Sequence, residues 1–390
     1  MRLPMLTQKF LVAFVLIAPA TTTAASPAQE PSTSLHNATR AIALNSRTQK
    51  AYAVSESQDA VVVYDPENKT TAIIKVGKSP VALAINEPTN RIYVANNGSG
   101  SVSVIDGAKD AVAATIDVGA LPYVLAVNPV ANKIFVSNTF TDVVTMIDGA
   151  TNATTTIKAG SADSIVVDAR RDRAYLVGWE STALTVLASQ PSIVAKIPLK
   201  GMHAWGTLAD QATGRVFVTK AGSAELLIVE EDPGNVSAVP TGAIPCAVAL
   251  NPVTGLVYVV NHGDDTVTTI DGANHRIIAT IKVGKSPQGI AIDSKSNRIY
   301  VANVHGNSVT MIDGARNAAT RTFHVGKNPY ALTIDENNGR LYVALQGDPS
   351  FTVIDSSAPA DQRTHSRLRG AHLQLQSPEF FAARILRGLF

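Results

Sequence analysis

One cysteine, Cys246, stands in 390 residues, so no intrachain disulfide, no CxxC redox pair, no c-type haem attachment and no cysteine-based zinc site can be built from this chain. Charge is sparse at 16% and nearly balanced, 33 basic residues against 31 acidic ones. That balance argues against a protein that holds nucleic acid by its net charge. Aromatics make up only 5%, and no stretch beyond the first twenty residues is a long apolar run. Hydrophobic residues nevertheless reach 45%, ample for a large core and far from the composition of a disordered chain. No catalytic motif is present, so the sequence speaks to architecture and address before chemistry.

Arg2 and Lys9 precede the apolar run from Phe10 to Ala20, and Ala18-Pro19-Ala20 and Ala24-Ala25 supply small residues for cleavage. A positive flank, a short apolar stretch and small residues at the cut are the layout of a secretory signal peptide, assigned to 1–25. The run is about half the ~20 residues that span a bilayer. Residues 26–40 form an N-terminal segment, and 358–390 a basic tail carrying five arginines against Asp361 and Glu379. Without leader and tail, the body holds 33 − 2 − 5 = 26 basic and 31 − 2 = 29 acidic residues, a net charge of −3.

That body is one repeat used eight times. Tyr52, Tyr93, Phe135, Tyr175, Phe217, Tyr258, Tyr300 and Tyr342 recur at intervals of 41, 42, 40, 42, 41, 42 and 42 residues. A glycine series (77, 119, 160, 201, 242, 284, 326) and an acidic series led by Asp65, Asp106 and Asp148 keep the same step. Each unit reads as four short strands rich in Val, Ile and Tyr, punctuated by Asn, Gly, Asp and Pro, with no helical period. Such a unit matches a β-propeller blade, and radial stacking buries the sheet faces that a lone blade leaves wet. The expectation is an all-β propeller over 41–357, of eight four-stranded antiparallel blades, or seven if one unit is not a proper blade. Three strands of the eighth unit are visible before Asp355. Its fourth is expected from Ser32–Arg40, closing the ring by pairing the chain ends, with His372–Gln376 as competitor.

Asp-Gly pairs at 106–107, 148–149, 271–272 and 313–314 read as turns that need positive φ. The basic series Lys50, Arg91, Lys133, Arg173, Arg215, Arg298 and Arg340 reads as repeated intrablade ion pairs rather than a polyanion site. Loop asparagines such as Asn96, Asn138, Asn261 and Asn303 read as turn caps.

RIYVANN, RIYVANV and LVYVVNH, with the VIDG or MIDG and the VGKSP or VGKNP segments that recur along the chain, resemble the YVTN-repeat β-propeller family over about 41–355. The resemblance implies a propeller and an exported bacterial or archaeal setting. It implies no activity. The family is similar to lactonase propellers and to domains that hold a d1-type haem, and none of its catalytic residues maps onto this chain.

The loops between second and third strands, and those between blades, are expected on one face. Departures from the repeat there mark the candidate site: Trp179 and Glu180, His203 and Trp205, Lys220, His262 and His305. Tryptophans beside His and Glu suit an organic ligand. Three histidines, or two with Glu180, are the only set for a divalent metal ion, although their blades are spread around the ring. Lys78, Lys285 and Lys327, near the closure, read as solvated lysines, with a cationic sector for an anionic partner as the alternative. In the tail, Ser377-Pro378-Glu379 starts a short amphipathic helix carrying Phe380, Phe381, Ile385, Leu386, Leu389 and Phe390. The leading expectation is an exported, periplasmic or secreted, non-catalytic scaffold that binds a protein, glycan or small ligand at its channel mouth, with no cofactor and no nucleic acid. A metal-assisted lactone hydrolase or lyase is the alternative.

Overall fold

A computed structural model describes residues 42–138, 141–232, 234–346, 351–356 and 365–368. They form eight four-stranded antiparallel sheets, each built from four strands consecutive in the chain. Blade one runs through Ile42–Leu44, Ala51–Ser55, Ala60–Asp65 and Thr70–Lys75, and blade two through Pro80–Asn86, Arg91–Asn96, Ser101–Asp106 and Ala111–Asp117. The inner strand of each blade touches that of the next, and the inner strand of blade one touches that of blade eight, so the ring is closed. The chain is an eight-bladed β-propeller. Among the described residues no helix is long and apolar enough to cross a membrane.

Burial follows radius. The seven residues of Pro80–Asn86 are all buried, whereas Ala111–Asp117 at the rim buries only Ile116. The repeat aromatics of the second strands, Tyr52 through Tyr342, are at most 1% exposed and fill the space between neighbouring blades. This is the packing that fixes the 40–42-residue period, because every blade must present the same bulk to the next.

Ring closure departs from expectation. Blade eight comprises Pro329–Asp335, Arg340–Leu345, Phe351–Asp355 and His365–Leu368, and the last pairs with the third from Ile354↔His365 to Phe351↔Leu368. Its outer strand therefore comes from what reads as tail, and the propeller extends to Leu368 rather than 357. Neither Ser32–Arg40 nor His372–Gln376 supplies that strand, and both lie outside the described residues, as do the leader and the amphipathic tail segment. Among the described residues no strand crosses the seam between blades one and eight. An aromatic triplet seals it instead: Tyr64 of blade one sits 6.2 Å from Tyr342 and 6.0 Å from Phe351, which are 6.3 Å apart (ring centroids).

Three local readings are also revised. The glycines of the Asp-Gly turns do not have positive φ; that conformation falls to Asp110, Asn152, His275 and Asn317. The aspartates cap the turns, as when Asp106 Oδ1 accepts the Ala108 N–H at 3.0 Å. The glycine is required by crowding, since a Cβ on Gly149 would lie 2.2 Å from Asn132 Oδ1. The basic series pairs both within blades (Arg91–Asp106, 3.0 Å; Lys133–Asp148, 2.5 Å) and across them (Lys50–Asp110, 2.7 Å; Arg173–Glu231, 2.8 Å). Beside these pairs, asparagines at the ends of inner strands donate to the next blade, Asn45 to Asn90, Asn86 to Asn132 and Asn251 to Asn297, each at 2.8 Å. The third revision concerns the loop asparagines and belongs to the opposite face.

Candidate ligand-binding face

The inter-blade loops and the second-to-third-strand loops do share one face, held by backbone hydrogen bonds. Asn97 N–H donates to Ser79 O (2.9 Å), His262 N–H to Ile244 O (3.0 Å) and Val304 N–H to Ser286 O (3.0 Å). Side chains lock the same junction, as Asp59 accepts from Ser79 N–H at 2.8 Å and Asp265 from Ser286 N–H at 2.7 Å. Six of the seven inter-blade loops then turn on a left-handed non-glycine residue. Ser79, Leu121, His203, Ile244, Ser286 and Asn328 have φ between 48° and 67°.

Asn96, Asn138, Asn261 and Asn303 are buried at the ends of the second strands and are not turn caps. Asn261 Nδ2 donates to Thr266 and Thr268 hydroxyls at 2.9 Å, and Asn303 Nδ2 to Ser308 and Thr310 at 3.1 and 2.9 Å. Asn138 instead donates to the carbonyls of Val118 and Ala120 in the inter-blade loop, both at 2.9 Å. Lys220 occupies the same strand position in blade five and does the same work. It is 1% exposed, and its Nζ donates to Lys200 O at 2.8 Å. Burial pulls its pKa down. Lys220 therefore lies beneath the loop surface, as a tether for the loop that carries His203.

That loop builds an aromatic cluster on this face. The Trp179 backbone is pinned from both sides, its N–H donating to Asp163 Oδ2 (2.7 Å) and its carbonyl accepting from His203 N–H (2.6 Å). The His203 ring lies 4.8 Å from the Trp179 ring at 51°, and Trp205, on the inner strand Ala204–Ala209 of blade five, meets Trp179 edge-on at 5.4 Å and 87°. All three side chains are half-buried, and Glu180 beside them is exposed. The cluster bridges blades four and five, so residues 26 positions apart form one surface.

The three histidines do not converge. His262 Nδ1 donates to Pro287 O at 3.2 Å, and His305 Nδ1 lies 2.8 Å from Ser286 Oγ. Burial lowers the His262 pKa, opposed by that carbonyl and reinforced by His305. These two sit in blades six and seven, apart from His203 in its aromatic stack, and among the described residues no three His, Cys, Asp or Glu side chains gather as a metal site. Cys246 is fully buried with its thiol pKa pushed up, an inert core residue.

Sequence reasoning passed over three apolar side chains here. Leu121, Met202 and Ile244 are 40%, 46% and 41% exposed on inter-blade loops, where other blades place Ser79, Ser286 and Asn328 at the position of Leu121 and Ile244, and Lys78, Lys285 and Lys327 at the position of Met202. The signal was available: apolar residues where the repeat elsewhere places polar ones.

Comparison with known proteins also returns propeller structures. Among solved structures the chain is similar to dihydro-heme d1 dehydrogenase NirN in complex with DHE (TM-score 0.71, 12% identity, 81% of this chain and 72% of that one). It is also similar to Kuenenia stuttgartiensis hydrazine synthase (0.57, 17%, 70% and 95%) and to streptogramin B lyase (0.50, 12%, 63% and 80%). These likenesses establish the fold alone. In sequence, 47 residues are 47% identical to the PE-PGRS family protein PE_PGRS18 of Mycobacterium tuberculosis, a match covering 12% of this chain and 10% of that protein. No family model matches the chain.

Proposed function

We propose that this propeller is an exported, non-catalytic binding scaffold of the YVTN-repeat type, whose loop face takes an organic ligand or the aromatic side chain of a partner at Trp179, His203 and Trp205. The observation that carries the reading is the half-buried Trp–His–Trp cluster spanning two blades. Two indoles at right angles offer one face and one edge to a planar group, and His203 with Glu180 supplies orienting polarity. The N-terminal charge and apolar pattern supports export. A metal-assisted hydrolase or lyase has less support, because its histidines stand in separate places. The neighbours named as a dehydrogenase and a lyase share the fold at 12% identity and lend no residue to this cluster.

Trp179 and Trp205 are the only tryptophans in the chain, so intrinsic fluorescence reports on this site alone. Titration with panels of glycans, peptides and aromatic small molecules should find ligands that shift the emission. Trp179→Ala should weaken them about 30-fold, the equivalent of a 2 kcal/mol hot spot. Ligands that bind the variant as tightly as the wild type refute the assignment.

A further inference from the structure

We propose that His262 and His305 form a two-imidazole site for a late first-row divalent metal ion, copper foremost, on the loop face between blades six and seven. The site lies apart from the tryptophan cluster and goes beyond the ligand reading above, so either can fail without the other.

Both residues depart from the repeat, and both departures fall on one loop. His262 follows Asn261 as Asn97 follows Asn96 in blade two. Asn97 Nδ2 donates to Pro122 O at 3.1 Å, and His262 Nδ1 donates to the corresponding carbonyl of Pro287 at 3.2 Å. An amide is sufficient for that bond, whereas an imidazole makes it with one nitrogen and keeps a second. His305 stands where blades two and six have Gly98 and Gly263. Those glycines lie so close to the inter-blade loop that a Cβ would meet Ser79 Oγ at 3.1 Å and the Ala243 carbonyl at 3.0 Å. Blade seven places a ring there instead, its Nδ1 2.8 Å from Ser286 Oγ. Consecutive residues of a single loop, Ser286 and Pro287, thus hold one imidazole from each flanking blade.

The loop between the rings is fixed. Ser286 N–H donates to Asp265 Oδ1 (2.7 Å), Val304 N–H to Ser286 O (3.0 Å) and Gly306 N–H to Lys285 O (3.2 Å). A carbonyl only accepts, so the His262 proton sits on Nδ1 and the lone pair on Nε2. The same tautomer follows for His305 as its Nδ1–H donates to Ser286 Oγ. Among the described residues neither Nε2 makes a hydrogen bond. Ring N–H groups held in this way orient metal-binding histidines and raise their basicity. Burial pulls the His262 pKa down, opposed by the Pro287 carbonyl and Asp265 and reinforced by His305, so the two rings lie within electrostatic reach of each other.

The donor set selects the ion. Asp265 is engaged by Ser286, and among the described residues no third His, Cys, Asp or Glu completes the group. Calcium and magnesium need oxygen ligands, and structural zinc needs four protein donors. Two imidazoles suit Cu²⁺, which stands highest in affinity for nitrogen sites and takes its remaining positions from water or from an incoming donor.

Calorimetric titration with Cu²⁺, and electron paramagnetic resonance of the loaded protein, test the assignment on wild type, His262→Asn, His305→Gly, their double variant and Ser286→Ala. The two histidine substitutions install residues that the repeat already uses at these positions, and circular dichroism checks the fold. Wild type should take up one equivalent of Cu²⁺ more than the double variant, with hyperfine structure from two imidazole nitrogens. Each histidine substitution should weaken that equivalent about 100-fold. Ser286→Ala keeps both ligands and removes only the partner of His305, and should weaken it about 10-fold. Equal uptake by wild type and the double variant means an adventitious ion only and overturns the proposal. A loss confined to one of the two single variants also overturns it, because a lone surface histidine then binds the ion. So does displacement of the copper by excess Ca²⁺, which marks an oxygen site.

Discussion

Removing the Phe351 ring should open the wheel at its seam. Most propeller-wide packing is repeated at eight junctions, but the one between blades one and eight has no covalent link between its blades. It depends on contact of the inner strands Ile42–Leu44 and Pro329–Asp335 and on the Tyr64–Tyr342–Phe351 triplet. Phe351 is fully buried, and Phe→Ala at such a site costs ~3–5 kcal/mol in lost burial and cavity. Each aromatic pair adds ~0.5–1.5 kcal/mol to plain area burial, and Phe351 makes two. Phe351→Ala should therefore fall at the upper end, near 5 kcal/mol. Phe323→Ala is the comparison: 4% exposed, on the outer strand of blade seven away from the seam, with the Arg321 guanidinium 4.3 Å above its ring. It should fall near 3 kcal/mol. Urea unfolding followed by circular dichroism and by tryptophan emission measures both. The two probes need not coincide, because an opened ring can unfold from the seam while blades four and five persist. A Tyr64→Leu/Phe351→Leu cycle should show a coupling of ~0.5–1.5 kcal/mol. A Phe351→Ala cost below that of Phe323→Ala, or a coupling of zero, refutes the view that the triplet closes the ring.

Other outcomes follow from single contacts. Lys220→Ala should destabilise by ~1–3 kcal/mol, because the Lys200 carbonyl loses its donor, whereas Lys220→Asn, the residue that other blades use, should recover part of that in thermal unfolding. Glu336 accepts from Ser294 Oγ at 2.9 Å across a blade boundary, and burial raises its pKa to about 7 from the ordinary 4.5. The folded state then binds more protons than the unfolded one between those values, so stability should fall as pH rises from about 4.5 to 7. Glu336→Gln should flatten that slope in Tm measured against pH, and an unchanged slope assigns it elsewhere. Ile244→Asn should raise stability by ~1 kcal/mol by accepting the left-handed φ, while weakening ligands that bridge blades five and six; a destabilised variant with intact binding contradicts the strain argument.

The fold was legible because a steric demand repeats in the chain: one buried aromatic per second strand, a glycine and an acid in phase with it. Closure was not, because His365–Leu368 pairs through its backbone and bears none of the alternation of an internal strand. The role of Asn261 and Asn303 lay in plain view as hydroxyl residues five and seven positions on, a spacing that gains meaning only once second and third strands are in register. The tryptophans could be marked as departures from the repeat, yet their meeting across a blade boundary follows from the ring. For the same reason His262 and His305 meet on the Ser286–Pro287 loop, while His203 stands apart in its aromatic stack.

The described part of blade one starts at Ile42, opposite Ala53 on an inner strand that runs away from the loop face, and that of blade eight ends at the rim of the loop face with Leu368. A handle joined directly after Leu368 pulls from the side that carries the tryptophans. A molecule immobilised there would lie with that side toward the support, so capture assays should fix it through the opposite side, where the Asp-Gly turns lie.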